Sequence, residues 1–544
     1  MPTAVSVFTS DRSGNFAILS TMLAVPLVLG IGLAIDVSTI ASTKSKLQNA
    51  IDSAVLAVAR EGKDVSDDKA NAIANTFLIG NFDPSFTKLK VVKKGTEFNV
   101  SAATNIGLAF GQLFGYQSWP IQAAASADIA YSSYEIALVL DTTGSMKGGK
   151  LTSMKDAVLG LIGTMSVQVN DTGKLKFAVV PFSAYVNVGP GYGPNFDKQG
   201  KQVASSGATW LDLYGNSTVP QSELAPGASR FQLYSNVGQS WPGCVETRYA
   251  ANKDYDVDDT PADPGKAETL FVPAFGIDEP DTPQFVNSYI KSDAKPHDNS
   301  VAEKKKRWKK YGVNTDGSGL PLLGGLLDPL VVPVLDLLGS ILGKKTIKID
   351  TSTASDGKPK GPGHGCDVQP ITPLTNDYAS LQAKVNALQA NGNTNIMEGV
   401  AWGNRVLSPG QPFPEGSASK VGVEKIMVVL TDGSNVFGNA TNSLGSSYSS
   451  NGYLIDGRLG IAAGGATVTN TLMNERTLKA CDIAKAKGVE IYTIRLEEPN
   501  VATGTMLKEC ASGPDHYFDV PSRAQLDDAF AAIKTRIVRV RIAS

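Results

Sequence analysis

The sequence predicts a doubly wound, mostly parallel α/β sheet with a long insertion, preceded by a transmembrane helix and a small α+β module. Three observations predict it. Residues 13–35, between Arg12 and Asp36, run for 23 positions without a charge. After Glu135 the apolar runs IALVL (136–140), KFAVVPF (176–182), KIMVVL (425–430) and VEIYTI (489–494) alternate with helical stretches near 150–165, 377–390, 395–407, 470–487 and 522–536. Strands that are apolar throughout, alternating with helices, belong to a parallel sheet covered on both faces. Between the second and third runs lie roughly 190 residues, about 189–377, rich in Pro, Gly, Asp and Ser. That is too long for a plain loop and reads as an insertion.

The N-terminal run reaches ~35 Å as a helix, enough to cross a hydrocarbon core of about 30 Å. It is longer than the apolar core of a signal peptide and ends in no clean A-x-A site. Residues 1–35 are therefore expected to be a cytoplasmic N-terminus and an uncleaved single-pass anchor. The charges of Arg12 on one side, and of Lys44 and Lys46 on the other, leave its orientation open. Beyond the anchor, Ile40, Leu47, Ile51, Val55 and Val58 fall on one helical face. A second helix over Asp67–Ile79 follows. Strands are expected at Thr87–Lys93, Thr96–Ala103 and Ile121–Ala130, turning at Lys94-Gly95. Residues 36–131 thus read as a helical stalk with a small α+β module, and 132–544 as the interrupted α/β domain.

Two stretches of the insertion stand out. GLPLLGGLLDPLVVPVLDLLGSILG (319–343) is long enough to span a membrane, but Asp328, Asp336, Pro329 and Pro333 oppose it. A span there would also part the sheet, so an apolar flap is expected. EKKKRWKK (303–310) reads as a solvated surface segment.

The composition, 42% hydrophobic and 19% charged, is that of a chain that buries a core, and the net charge of -2 gives no case for a nucleic-acid partner. Three histidines argue against a His-rich zinc site. Cys244, Cys366, Cys481 and Cys510 allow three pairings, and their grouping suggests Cys244–Cys366 and Cys481–Cys510. Bridges would place the bulk of the chain in an oxidising compartment, whereas buried free thiols would not.

In an open parallel sheet, ligands sit outside the carboxyl ends of the strands. DTTGSM (141–146) follows the first apolar run, LTDGSN (430–435) ends the third, and GNTNIMEG (392–399) precedes a helix. The fold would gather Asp141, Thr143, Ser145, Thr394 and Asp432 at one solvent-facing edge. These donors are all oxygens, which suit Mg²⁺, Ca²⁺ or Mn²⁺. Two carboxylates with neutral hydroxyls leave such an ion electrophilic and open to a carboxylate from a partner. A rival reading takes Asp141 as an aspartic-protease residue, because DTTGS differs from D-[TS]-G-[ST] by one Thr. That mechanism needs two such loops sharing a proton, and the second loop here is TDGS.

The D-x-[ST]-x-S loop, a later loop threonine and a later T-D-G aspartate resemble the metal-ion-dependent adhesion site (MIDAS) of von Willebrand factor A (vWA) domains. The resemblance falls on Asp141, Thr143, Ser145, Thr394 and Asp432, with Thr143 where serine is commonest. It implies that the two first-loop hydroxyls bind the metal directly. IGLAIDVSTIASTKSKLQNAIDSAVLAVA (31–59) is similar to the anchor of TadE/TadG-like proteins of bacterial Flp (tight-adherence) pilus systems, and WPGCVETR (241–248), TLFVPAFGIDEPD (269–281), WGNRVLSP (402–409) and ECASGPDHYFDV (509–520) also resemble TadG-like members. This implies a non-enzymatic pilus-assembly or cell-adhesion protein in the bacterial cytoplasmic (inner) membrane, its bulk periplasmic or extracellular. It would bind a protein partner with an acidic side chain, such as another pilus-assembly component; a metal-independent scaffold is the alternative. Leu19 stands where family pseudopilins carry Glu, five residues after the Gly, so prepilin cleavage at Gly14 is not expected.

Overall fold

The structure, a computed structural model, describes residues 15–537 apart from 62–64, 83–84, 95–96, 129–132, 170–171, 222, 283–284, 297, 314–346, 420–421 and 439–442. The 319–343 segment lies outside the described residues. The chain divides into two compact units, one within 1–131 and one within 132–537.

The first unit begins with one helix of 46 residues, α1 (Asn15–Arg60). Its N-terminal part carries exposed Ile18, Met22, Leu23, Leu27 and Val28. Among the described residues it is the one helix long and apolar enough to cross a membrane. Its C-terminal part buries Leu47, Ile51, Val55 and Val58, which are the residues spaced along one face in the sequence. Helix α2 (Asp67–Asn81) starts at Ser66, whose side chain accepts from the Lys69 N–H, with Asp67 and Asp68 at the positive end of the helix dipole. The strands β1 (Thr87–Lys94), β2 (Glu97–Gly107) and β3 (Ser118–Asp128) form an antiparallel meander. Phe98, Val100 and Ile121 from it are buried with the helix residues in one core.

In the second unit the elements run β4 (Ser133–Asp141), α3 (Gly149–Gln168), β5 (Leu175–Phe182), β6 (Val186–Asn187), α4 (Arg230–Asn236), β7 (Cys244–Glu246), β8 (Val272–Pro273) and α5 (Val301–Lys310). There follow β9 (Thr372–Thr375), α6 (Tyr378–Asn386), α7 (Ile396–Leu407), β10 (Val423–Thr431), α8 (Ala466–Ala486), β11 (Val489–Leu496), α9 (Val501–Cys510), β12 (Tyr517–Val520) and α10 (Leu526–Ile537). The main sheet has the order β12-β11-β10-β4-β5-β9. All its pairs are parallel except β5 with β9. This is a doubly wound, mostly parallel sheet, as the sequence predicts. After β4 the chain moves to one side, to β5, and later returns to the other as β10. The order therefore reverses at β4/β10, and a crevice opens beyond the carboxyl ends of those strands.

Among its described residues the insertion has few regular elements, and β6, β7 and β8 form a small antiparallel sheet. Its aromatic residues join the main core instead of forming a separate one. Phe271 lies against Trp402 of α7 at 4.8 Å between ring centroids, and Trp402 against Phe413 at 5.9 Å. Cys244 is bonded to Cys366 and Cys481 to Cys510, the pairing that their grouping suggested. The basic run 303–310 differs from its reading as a solvated segment. It forms α5, where Arg307 is buried against Glu223 at 3.0 Å and Lys310 meets the buried Asp278 at 2.8 Å. A charge run shows no alternation by which sequence alone could mark Arg307 as buried and Lys310 as largely covered.

Candidate metal-binding site

Strand β4 ends in Asp141, and the chain turns at once into a 3-10 turn at Gly144–Met146 before α3 begins. The turn is tied down by its neighbours. The Thr142 N–H and hydroxyl both donate to the Phe182 carbonyl, and the Gly144 N–H donates to the Gly392 carbonyl at 2.9 Å. The loop before α7 is held in return, because the Asn391 N–H donates to the Thr142 carbonyl at 2.8 Å. The third loop follows β10, and there the Val436 N–H donates to the Thr394 carbonyl at 2.8 Å. Backbone bonds thus lace the three loops together without using the side chains of Thr143, Ser145, Thr394 or Asp432.

Those side chains converge. Thr143 Oγ1 and Ser145 Oγ are 3.0 Å apart, and the Thr394 hydroxyl donates to Thr143 Oγ1 at 3.3 Å. The Ser145 hydroxyl donates to Asp432 Oδ1 at 2.6 Å. Asp141 accepts from the Thr143 N–H at 2.8 Å and from the Thr431 hydroxyl at 2.6 Å. The structure therefore brings all five sequence-selected residues into one cluster. It differs from the expectation in exposure: Asp141 and Asp432 are buried, and Ser145 is the exposed member. The carboxylates lie at the floor because β4 and β10 are the two central strands, with loops folded over their ends.

Burial, and after it the nearby charge of Asp432, push the Asp141 carboxyl up to about 6, against the hydrogen bonds from Thr143 and Thr431 that lower it. A buried carboxyl whose ionised form is disfavoured gains from a cation. Gly433 supports the same reading, since a Cβ there would stand 3.2 Å from Thr394 Oγ1 and 3.6 Å from Ser145 Oγ. The all-oxygen donor set, with Gly433 leaving room beside the hydroxyls, fits a hard divalent ion. Among the described residues no group of three or more His, Cys, Asp and Glu could hold a metal. Any ion here would depend on hydroxyls for the rest of its shell.

Two participants were not selected from the sequence. Thr431 stood in the quoted LTDGSN, and its place before the aspartate was the available signal. Lys150, in the first turn of α3, donates to Asp432 Oδ2 at 2.7 Å. Nothing in GSMKGGK (144–150) marks one lysine over the other. Asp141 and Asp432 share no hydrogen bond among the described contacts, and each is engaged elsewhere.

Residues 14–61 match the Tad family, described as putative Flp pilus-assembly TadE/G-like. No curated protein matches the chain. Among solved structures, the pilus adhesin SpaC from Lactobacillus rhamnosus GG is 10% identical with a TM-score of 0.30, over 84% of this chain and 34% of that one. The chain thus spans about a third of SpaC. The vWF domain of the type V pili tip protein Mfa5 from Porphyromonas gingivalis is 10% identical at a TM-score of 0.32, covering 76% of this chain and 98% of that one. The PilB minor pilin from Streptococcus sanguinis is 10% identical at 0.31, covering 83% and 77%.

Proposed function

The chain is TadE/G-like in its N-terminal segment and carries a vWA-type sheet, and from that premise we propose that it is a membrane-anchored binding protein of a bacterial Flp/Tad pilus-assembly or adherence system. Its α1 helix crosses the cytoplasmic membrane once, and the second unit lies on the periplasmic or extracellular side. Two disulfides support that side, since they persist in oxidising compartments. It acts by holding a partner, without turnover.

The observation that carries the proposal is the meeting of Asp141, Thr143, Ser145, Thr394 and Asp432 at the strand-order reversal. Thr143, Ser145 and Thr394 would give neutral oxygens to Mg²⁺, or to Mn²⁺ or Ca²⁺, and Asp141 and Asp432 would neutralise it. Bound there, the ion supplies a Lewis-acidic position for a carboxylate of the partner protein, most simply another pilus-assembly component. The exposed Ser145 marks the side from which that carboxylate arrives.

A second reading, a metal-independent scaffold, is favoured by the Lys150–Asp432 ion pair, which gives one carboxylate a cation from the chain itself. Titration calorimetry on the full chain in detergent separates the two. The metal reading expects Mg²⁺ or Mn²⁺ binding that disappears in Asp141→Asn and Ser145→Ala, with circular dichroism unchanged. Absent binding in the wild type, or equal binding in all three proteins, leaves the scaffold.

A further inference from the structure

The β2–β3 hairpin contains no charged residue between Glu97 and Asp128, an unusual composition for a hairpin in water. Its tip is a 3-10 turn, Gly111–Phe114, closed by Gly115 at φ 86°. Around that turn Leu113 is 69% exposed, Phe114 51%, Tyr116 60% and Trp119 47%. Four large apolar or aromatic side chains on one uncharged tip form a patch that water does not favour.

The tip is fixed at a definite height on α1. Asp36, the first charge after the apolar run, accepts from the backbone N–H groups of Ala109, Phe110 and Gly111 at 2.9, 2.9 and 2.7 Å. Four residues earlier Gly32 lets the Phe110 ring lie directly on the helix, where any Cβ would collide with it. Higher up, the Gln48 amide donates to the Ala124 carbonyl. The hairpin therefore runs along α1 toward its apolar part and ends level with Gly32–Asp36. At 1.5 Å per residue Gly32 lies ~6 Å inside Asp36, within the uncharged stretch. Exposed Leu33 and Val37 continue the patch from the helix side, with an apolar hollow between them and Phe114 and Trp119.

We infer that the hairpin tip, Leu113, Phe114, Tyr116 and Trp119, is a second membrane foot that sits in the interfacial layer of the same bilayer that α1 spans. The occupant is lipid because the patch is continuous with the spanning helix at the height where that helix leaves the hydrocarbon. Tyr and Trp favour that boundary, where a ring is buried and a polar group stays wet. The three N–H groups on Asp36 satisfy a carboxylate that would otherwise face the boundary, and they lock the tip to the helix. The inference rests on α1 spanning the membrane, and not on the metal site.

Leu113→Cys, Met22→Cys and Val92→Cys, each carrying an environment-sensitive fluorophore, test it. The variants are full chains reconstituted in phosphatidylcholine–phosphatidylglycerol vesicles. Both cysteine pairs are bonded, so the label goes to the new thiol. The expected result is loss of the Leu113 signal with lipids spin-labelled near the headgroup, loss of the Met22 signal with lipids labelled deeper in the chain, and quenching of Val92 by aqueous iodide alone. A Leu113 probe quenched by iodide and not by lipid, with Met22 still lipid-quenched, overturns the foot and leaves the span. Protection of Leu113 from both quenchers assigns the patch to a protein neighbour and also overturns it. Loss of lipid quenching at Met22 shows that the span itself is wrong, and the foot falls with it.

Discussion

Lys150 is the residue on which the chemistry of the crevice turns. Its ammonium donates to Asp432 Oδ2 at 2.7 Å while the Ser145 hydroxyl takes Oδ1. An entering divalent ion meets a competitor for one carboxylate and a like charge beside it. The Lys150 side chain is 20% exposed and that of Asp432 is fully buried, so desolvation offsets much of the attraction and the net worth of the pair is modest, about 1 kcal/mol. Lys150→Gln should therefore tighten Mg²⁺ binding roughly fivefold, read by calorimetry on the full chain. Weaker binding in that variant would show that Lys150 holds Asp432 in place for the ion. The same crevice separates roles among hydroxyls that look equivalent in sequence. Thr142 is spent on the Phe182 carbonyl, whereas Thr143, the next residue along the turn, reaches Ser145 and Thr394.

At the scale of elements, α7 is the part that delivers Thr394. Every residue from Ile396 to Leu407 is buried, which is uncommon for a helix and needs close approach to the sheet. Two glycines permit it. A Cβ on Gly399 would meet Phe182 at 2.7 Å and Val139 at 3.0 Å, and one on Gly403 would meet Val139 at 2.6 Å and the Met427 sulfur at 3.0 Å. Gly403→Ala should push α7 from β4 and β10 and cost about 1–3 kcal/mol, measured by denaturant unfolding. Because Thr394 lies just before α7, the same change should weaken Mg²⁺ binding. Gly160→Ala on α3, whose Cβ would meet nothing within 4 Å, is the contrasting case and should stabilise by roughly 0.5–1 kcal/mol. Equal effects at the two positions would sink the packing argument.

For the second unit as a whole, the issue is how an insertion with few regular elements among its described residues stays part of one body. Its aromatic residues enter the main core, and Cys244–Cys366 closes a separation of 122 residues, against 29 for Cys481–Cys510. In the chain-entropy model these closures are worth about 5 and about 3.5 kcal/mol. Replacing both cysteines of the longer bridge by alanine should cost more than replacing those of the shorter one. The chemical unfolding of that variant should remain a single transition for this unit, since most of the buried residues described in the insertion belong to the sheet core, and the separate cluster around Cys244, Ala274 and Val368 is small. A separate early transition of the insertion in that variant would show that it folds by itself.

The sequence by itself determined the central strands, the helix face of α1 and the three loops that carry oxygen donors. Those features follow from local periodicity and from the rule that doubly wound sheets offer the carboxyl ends of their strands. IALVL, KFAVVPF, KIMVVL and VEIYTI were legible because strands buried on both faces are apolar throughout. TPLT in β9 and YFDV in β12 were not, because edge strands of four residues carry mixed polarity and owe their pairing to a neighbour already in place. Helix α9 was hidden for a related reason: Thr and Gly in VATGTMLKEC weaken its helical signal, while Asn500 caps it and Leu507 and Cys510 are buried. Only the tertiary structure decided that Asp141 and Asp432 lie beneath hydroxyls, that Lys150 reaches Asp432, and that Arg307 is buried. It alone set the uncharged hairpin tip at the height of Asp36. Each of these depends on groups distant in the chain meeting in space, and burial and partnership are properties of that meeting. No residue carries them in its own letter.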